Sequence, residues 1–418
     1  MNLCFVARKP LLDRNKSIFG YEILLRNAIS LRPDLAPASS PGDALALFLG
    51  MNKFAQLAGD KVALIRLGPD IVRDDVTTLV PTDKGVLEIS DGDTQPAADD
   101  LIERCITLRK RGHKFCLSDF KHDEAFSPFL QLAEFVEIRV SGEDRARVEE
   151  NMSLVRKLPA KIIASGVHSA DDFNYCSTLG FDLFKGSFYC RPSVFTAKSI
   201  SPSQLLLLEL SAYLAKDEDM HIVERIFKKN PDLTFGLLKL INSAFFRVQQ
   251  RVTSIRQAIA LLGYENLQKW VALLLFTIDH RDHALNPLVE KVLIRGRIME
   301  MLAERVTGSK TVADSAFITG ILSFANVLFG VTLDEIMDKL NLAVEIQEAL
   351  LGRQGVLGTL LAITEELDED NYEEIENRLA AVRLRTADLF SIETKAIVEY
   401  QTSLNDDLRK SAHGKEVN

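Results

Sequence analysis

Asn230-Pro231-Asp232-Leu233-Thr234 leads into Phe235-Gly236-Leu237-Leu238-Lys239-Leu240-Ile241-Asn242-Ser243-Ala244-Phe245-Phe246. After a short basic turn, Val252-Thr253-Ser254-Ile255-Arg256-Gln257-Ala258-Ile259-Ala260-Leu261-Leu262-Gly263 runs into Tyr264-Glu265-Asn266-Leu267-Gln268-Lys269-Trp270. Physically this is three helices separated by two turns. Asn230 is a cap for the first helix, with Pro231 in its first turn. Thr253 or Ser254 caps the second, and Gly263 ends it in the left-handed region. Leu237, Leu240 and Ile241, then Ile255, Ala258, Ile259 and Leu262, recur at helical spacing. Pieces this short are marginal alone and must pack on one another and on further helices.

"NPDLTFGLLKLINSAFF" followed by "TSIRQAIALLGYENLQKWV" resembles the signature of the HDOD domain, a helical relative of the HD phosphohydrolases found in bacterial signalling proteins. Outward from it, the pattern stays helical: Leu205–Leu214 and His221–Lys228 before it, then Pro287–Val306, Thr311–Phe329, Thr332–Leu340, Leu342–Leu351, Val356–Glu366, Ile375–Ala381 and Ser391–Leu404 after it. An HD enzyme needs a His-Asp pair. "AFITGILSFANVLFG" carries Ser323-Phe324 there, and "VEKVLIRGRIMEML" lacks an earlier histidine. That absence is characteristic of HDOD domains.

A chain of 418 residues exceeds what one core usually fills, so two domains are expected. With 47% apolar and 26% charged residues it reads as globular and soluble. The net charge of -9 offers no basic footprint for nucleic acid or an anionic membrane. Five cysteines without a CxxC pair suit free thiols in a reducing cytoplasm. Met1–Pro10 lacks a signal-peptide core, and the apolar run near Val271–Phe276 is far too short to span a bilayer. Cytoplasmic localisation without membrane insertion is expected.

The first half alternates β-like runs (Leu3–Ala7, Ile18–Leu25, Val62–Leu67, Val86–Ser90, Lys114–Asp119, Phe135–Val140, Lys161–Ala164, Phe181–Phe184) with helical segments. Continuous apolar runs of this kind are strands buried on both faces. The alternation predicts a parallel β/α barrel with any site at the C-terminal ends of its strands.

"GYEILLR", "VLEIS", "CLSDF", "IIASGVHS" and "GFDLFKGSFYCRP" fall in the order and spacing of an EAL domain, which the first half therefore resembles. Active members of that family are metal-dependent phosphodiesterases that linearise cyclic di-GMP. The resemblance implies an α/β plus all-α chain: an EAL-type TIM-like β/α barrel over 1–195, an HDOD helical bundle over 196–405, and a disordered polar tail over 406–418. The Pro- and Ser-containing stretch Arg191–Ser203 is the expected junction.

The same resemblance assigns the site. Glu22, Glu88 and Asp119 match the family's acidic ligands, and Arg26 matches its phosphate-contacting arginine. The motif's Asn falls on Arg66, the first of its paired aspartates on Ser118, its Lys on Glu137, its late Glu on Ser165 and its Gln on Lys185. Divalent Mg²⁺ or Mn²⁺ needs several oxygen ligands, and Arg66 and Lys185 would repel it while pairing with Glu22 and Glu88. The expectation is a salt-bridged, metal-free remnant without a cofactor; Mg²⁺ or Mn²⁺ enters only if the site is active.

The expected function is a signalling scaffold or regulator with a catalytically degenerate EAL barrel. Its HDOD helices would bind other signalling proteins, and a homodimer remains open. The rivals are a cyclic di-GMP receptor using Arg26 and a weakly active cyclic di-GMP phosphodiesterase. His122-Asp123 and Asp279-His280-Arg281-Asp282-His283 are read as solvated loops, and the acidic run Glu365–Glu376 as a solvated connection.

Overall fold

The computed structural model describes residues 4–27, 45–46, 49, 53–90, 99–120, 127–190, 202–215, 220–230, 233, 237, 255–277, 287–329, 332–334 and 343–415. It divides into two compact units. The first comprises Met1–Arg191 with Ala284–Glu290 and Ala387–Asn418; the second comprises Pro192–His283 with Lys291–Thr386.

In the first unit, strands β1 (Cys4–Asp13), β2 (Ile18–Asn27), β3 (Val62–Arg66), β4 (Gly85–Ser90), β5 (Lys114–Ser118), β6 (Phe135–Arg139), β7 (Lys161–Ser165) and β8 (Leu183–Lys185) close a barrel in sequence order. From β2 to β8 neighbours run parallel, whereas β1 is antiparallel to both β2 and β8. The all-parallel expectation fails there for a local reason. Asp13 Oδ1 accepts from the Asn15 and Ser17 amides at 2.8 and 2.9 Å, and Lys16 adopts φ +60°. This Asx-type turn reverses the chain after four residues, too few for a helical crossover.

Helices α1 (Lys53–Ala58), α2 (Pro69–Arg73), α3 (Asp99–Lys110), α4 (Ser127–Leu130), α5 (Arg145–Val155) and α6 (Ala170–Leu179) intervene between strands. The last has a full local code. Ser169 and Asp172 form a capping box at its start, and Gly180 closes it at φ +91°. Inside the barrel, Leu11, Leu64, Val86, Cys116, Phe135, Ile163 and Leu183 form one apolar layer. That layer fixes what lies above it, because side chains two residues apart on a strand share a face.

The second unit is helical in its described residues: α7 (Pro202–Ala215), α8 (Met220–Lys229), α9 (Ile255–Leu262), α10 (Tyr264–Thr277), most of α11 (Pro287–Thr307), α12 (Lys310–Leu322), α13 (Ala325–Phe329), α14 (Val344–Gly352), α15 (Gly355–Asp368) and α16 (Tyr372–Ala381). Gly263 has the expected left-handed conformation at φ +76°. Asn230, expected to cap the next helix, donates its side-chain amide to the Ile226 carbonyl of α8 at 2.8 Å. Of the helix expected after it, Leu233 and Leu237 are described and buried; Leu238, Asn242 and Ser243, like Thr253 and Ser254, lie outside the described residues.

The helix expected over Thr311–Phe329 is broken at Ser323-Phe324 between α12 and α13. Nor is the acidic run uniformly solvated: the Asp368 carboxylate is bound by Lys291 and Arg295. Finally, α17 runs from Thr386 to Lys415, beyond Asp406 where a disordered tail was expected, and groups from Ala387 with the barrel. No helix among the described residues is long and apolar enough to cross a membrane.

α11 and α12 meet at a pair of glycines. A Cβ on Gly320 would lie 2.9 Å from the Gly296 Cα and 3.1 Å from the Met299 sulfur. The backbones approach where neither residue has a side chain. Gly320→Val should therefore destabilise the helical unit by about 1–3 kcal/mol through overpacking, measured by urea denaturation; an unchanged midpoint would show that the helices can separate without cost.

Candidate active site

One step along each strand toward its C-terminal end, the apolar layer becomes a charged one. Leu64 is followed on the same face by Arg66, Val86 by Glu88, Cys116 by Ser118, Phe135 by Glu137, Ile163 by Ser165 and Leu183 by Lys185. Glu22 joins them from β2. The strand periodicity thus brings together, at one level, residues spread over 164 positions of sequence from Glu22 to Lys185.

Lys185 is at the centre. Its Nζ lies 2.6 Å from Glu137 Oε2, 2.9 Å from Glu22 Oε1 and 3.7 Å from Glu88 Oε2. All four side chains are buried. Arg66 closes the cluster from β3: its Nε and Nη2 both lie 3.0 Å from Glu88 Oε1, and Nη2 is 3.9 Å from Glu22 and from Asp119. Asp119 follows β5 with φ +54°, a conformation uncommon for a side-chain-bearing residue. Its Oδ1 is held by Arg139 at 2.6 and 2.9 Å.

Electrostatics follow from this packing. Burial opposes ionisation of Glu22, but the adjacent Lys185 ammonium outweighs it and holds that carboxyl below its ordinary range. Glu88 goes the other way: burial pushes it up to about 7 against the pull of Lys185, with Glu22 and Glu137 adding repulsion. Burial alone would lower Lys185, yet Glu137, Glu22 and Glu88 hold it well above its ordinary value. Burial also raises the Cys116 thiol well above its usual range.

Every assigned site residue with a described side chain therefore gathers at the C-terminal end of the barrel. Ser118 is buried, with its hydroxyl donating to the Ile89 carbonyl at 3.3 Å, and Ser165 is buried on β7. Arg26 is carried by β2, but its side chain lies outside the described residues, as do His122-Asp123 and Asp279–His283. Sequence reasoning missed Arg139. Its position on β6 two residues beyond Glu137 was the available signal.

The donor set can be tested against a divalent ion. Glu88, Cys116 and Glu137 present ligand atoms all within 4.8 Å of one another. Lys185 already bonds Glu137 and approaches Glu88, Arg66 takes the second Glu88 oxygen, and the remaining donor is a thiol held protonated. Mg²⁺ and Mn²⁺ favour oxygen ligands free to face the ion. As arranged, these residues do not fit such a centre.

In the helical unit, Ser323 Oγ accepts from Arg295 Nη1 at 2.8 Å, and the Arg295 guanidinium lies 4.0 Å from the Phe324 ring centroid. Arg295 thus packs against Ser323 and Phe324, the two residues that the resemblance aligns with the His-Asp pair of HD enzymes.

The comparisons with known proteins agree on the parts. The EAL domain model matches residues 71–192, and the HDOD domain model matches residues 205–352. The chain thus pairs an EAL domain with an HDOD domain that follows it. It is 26% identical to Cyclic di-GMP phosphodiesterase CdgJ of Vibrio cholerae over 90% of this chain and 87% of that protein. It is 25% identical to the uncharacterised protein YuxH of Bacillus subtilis over 88% of this chain and 91% of that protein. Among solved structures, this EAL–HDOD chain is similar to a manganese/cyclic di-GMP complex of Klebsiella pneumoniae BlrP1, at 18% identity and a TM-score of 0.36, covering 44% of this chain and 54% of that one. It is likewise similar to the FimX EAL domain of Pseudomonas aeruginosa bound to cyclic di-GMP, at 16% identity and a TM-score of 0.36, covering 46% and 90%.

Lys185→Met leaves three buried carboxylates without their shared cation. It should destabilise the chain by about 3–5 kcal/mol in chemical denaturation. The deficit should shrink with acid. A carboxyl whose folded pKa is raised, as Glu88's is to about 7 from 4.5, contributes stability fully below 4.5 and loses it as pH rises through about 7. Removing the ammonium takes away the pull that opposes this rise at Glu88, so the variant should lie nearer the parent at pH 5 than at pH 8. An equal deficit at both values would show that Lys185 acts by packing alone.

Proposed function

We propose that this EAL–HDOD protein is a signal-transduction regulator whose barrel does not hydrolyse cyclic di-GMP and whose HDOD helices dock other signalling proteins in the cytoplasm. One observation carries the reading. The Lys185 ammonium, 2.6 Å from Glu137 and 2.9 Å from Glu22, occupies the space in which a divalent ion would need those oxygens. Arg66 on Glu88 and Arg139 on Asp119 engage the remaining acids. A metal would have to displace buried, hydrogen-bonded cations before meeting a ligand.

A second reading has its own support. A relative aligned over nine-tenths of the chain is named a cyclic di-GMP phosphodiesterase, and Glu22, Glu88 and Asp119 keep the acidic types of the motif. On that reading Mg²⁺ or Mn²⁺ is the cofactor and Lys185 moves aside when metal and substrate arrive. A receptor without hydrolysis would instead use Arg26, whose guanidinium is suited to bidentate phosphate contact.

The deciding experiment pairs an assay of cyclic di-GMP linearisation, with Mg²⁺ or Mn²⁺, with calorimetric titration of the dinucleotide in the presence and absence of metal. The regulator reading expects no turnover. Turnover abolished by Glu22→Ala would overturn it and make Glu22, Glu88 and Asp119 working ligands. Metal-independent binding weakened by Arg26→Ala would identify a receptor.

A further inference from the structure

A second buried polar network lies on the opposite face of the strand that carries Glu22. Val6, near the start of β1, gives both of its backbone groups to one side chain: its amide donates to Thr394 Oγ1 at 3.0 Å, and its carbonyl accepts from the same hydroxyl at 3.0 Å. Two residues along, the Arg8 guanidinium lies 3.0 Å from Glu290 Oε1, donates to Gln401 Oε1 at 2.8 Å and also donates to the Leu57 carbonyl. Arg8 sits 4.2 Å over the ring of Tyr21, whose hydroxyl donates to Glu290 Oε2 at 2.8 Å. Arg8, Tyr21, Glu290 and Gln401 are all buried.

Thr394 and Gln401 belong to α17. Along that helix Leu389, Phe390, Ala396, Ile397 and Gln401 are buried, a stripe at helical spacing. The strand edge beneath explains what the helix does. β1 pairs with β8 at Leu12 and Asp13, and among the described residues no strand pairs with its earlier part on that side. By the two-residue period, Val6, Arg8 and Pro10 face the same way, and Pro10 has no N–H to extend a ladder. An edge of this kind must be covered.

We infer that the C-terminal helix is a latch on the barrel, fastened by Thr394 and Gln401, and that its seating sets the geometry of the charged site. The link is one peptide bond. Tyr21 and Glu22 are consecutive on β2 with side chains on opposite faces. Tyr21 lies under Arg8 and shares Glu290 with it, Arg8 being the side chain bound by Gln401 of the latch, while Glu22 is held by Lys185. Displacement of β2 at Tyr21 carries Glu22 with it. Beside the apolar stripe, the contacts at Thr394 and Gln401 are polar, and a buried polar contact fixes one register while adding little net stability. Such a contact suits a helix that must both seat uniquely and come away. The inference stands whether or not the barrel hydrolyses a substrate.

The test uses the full chain with Thr394→Val, which keeps the side-chain shape, and Gln401→Leu. Cys116 reports the barrel interior, one layer below the charges; Cys105 on α3 and Cys176 on α6 report the outer helices, and all three are buried. Alkylation under native conditions, followed residue by residue by mass spectrometry, should show Cys116 labelling about tenfold faster in either variant with Cys105 and Cys176 unchanged. Amide exchange should rise in β1 and β2 in the same samples. Unchanged Cys116 labelling in both variants would overturn the inference. A parallel rise at all three cysteines would also overturn it, since that is general loosening. Should Gln401→Leu fail to fold, Thr394→Val alone decides between these outcomes.

Discussion

Three glutamates meet inside this barrel because one lysine meets them there. Glu22, Glu88 and Glu137 come from three strands and are each within 3.7 Å of the Lys185 ammonium. Buried carboxylates without a partner cost several kcal/mol each and would protonate or force the barrel open. The strands hold their register through the apolar layer below, but that register is tolerable only while the charges above it balance. Arg66 and Arg139 extend the balance outward to Glu88 and Asp119. The site is therefore a packed ionic core as much as a cavity mouth.

The helical unit repeats the arrangement in other chemistry. Arg295 bridges Ser323, Asp368 and the face of Phe324, with Lys291 on the same aspartate. Burial would raise Asp368, but Lys291 and Arg295 hold it below its ordinary range. Each unit thus packs a cation against side chains that the sequence resemblance aligns with metal-ligand positions. In both, the cation comes from a neighbouring element and so joins separate secondary structures.

Much of this was legible in the sequence. Apolar runs such as "VALIR" and "KIIAS" mark strands buried on both faces, and strand phase alone places Arg66, Glu88, Glu137 and Lys185 on one side. That Arg66 and Lys185 pair with Glu22 and Glu88 followed from opposite charges at motif positions, whereas Glu137, the nearest partner of Lys185, was not expected there. What stayed hidden needed distance rather than pattern. Arg139 looks like the solvated end of a strand until Asp119 turns toward it. The reversed direction of β1 rests on two hydrogen bonds accepted by Asp13 from the Asn15 and Ser17 amides, and "DRNKS" reads equally well as any polar loop. Hardest to see was α17: its helical period is plain, but periodicity gives no address, and nothing in "SIETKAIVEYQ" says that its threonine and glutamine serve the first strand of the chain.

That address also affects synthesis. Arg8 and Gln401 are 393 residues apart, so the bond between them closes a loop nearly as long as the protein. A ribosome adding roughly 5–20 residues per second needs on the order of 20–80 s to travel from one to the other. Through that interval β1 has emerged but Thr394 and Gln401, which bond Val6 and Arg8, have not. β1 therefore waits for its partners on this helix longer than most of the barrel waits for its neighbouring strands.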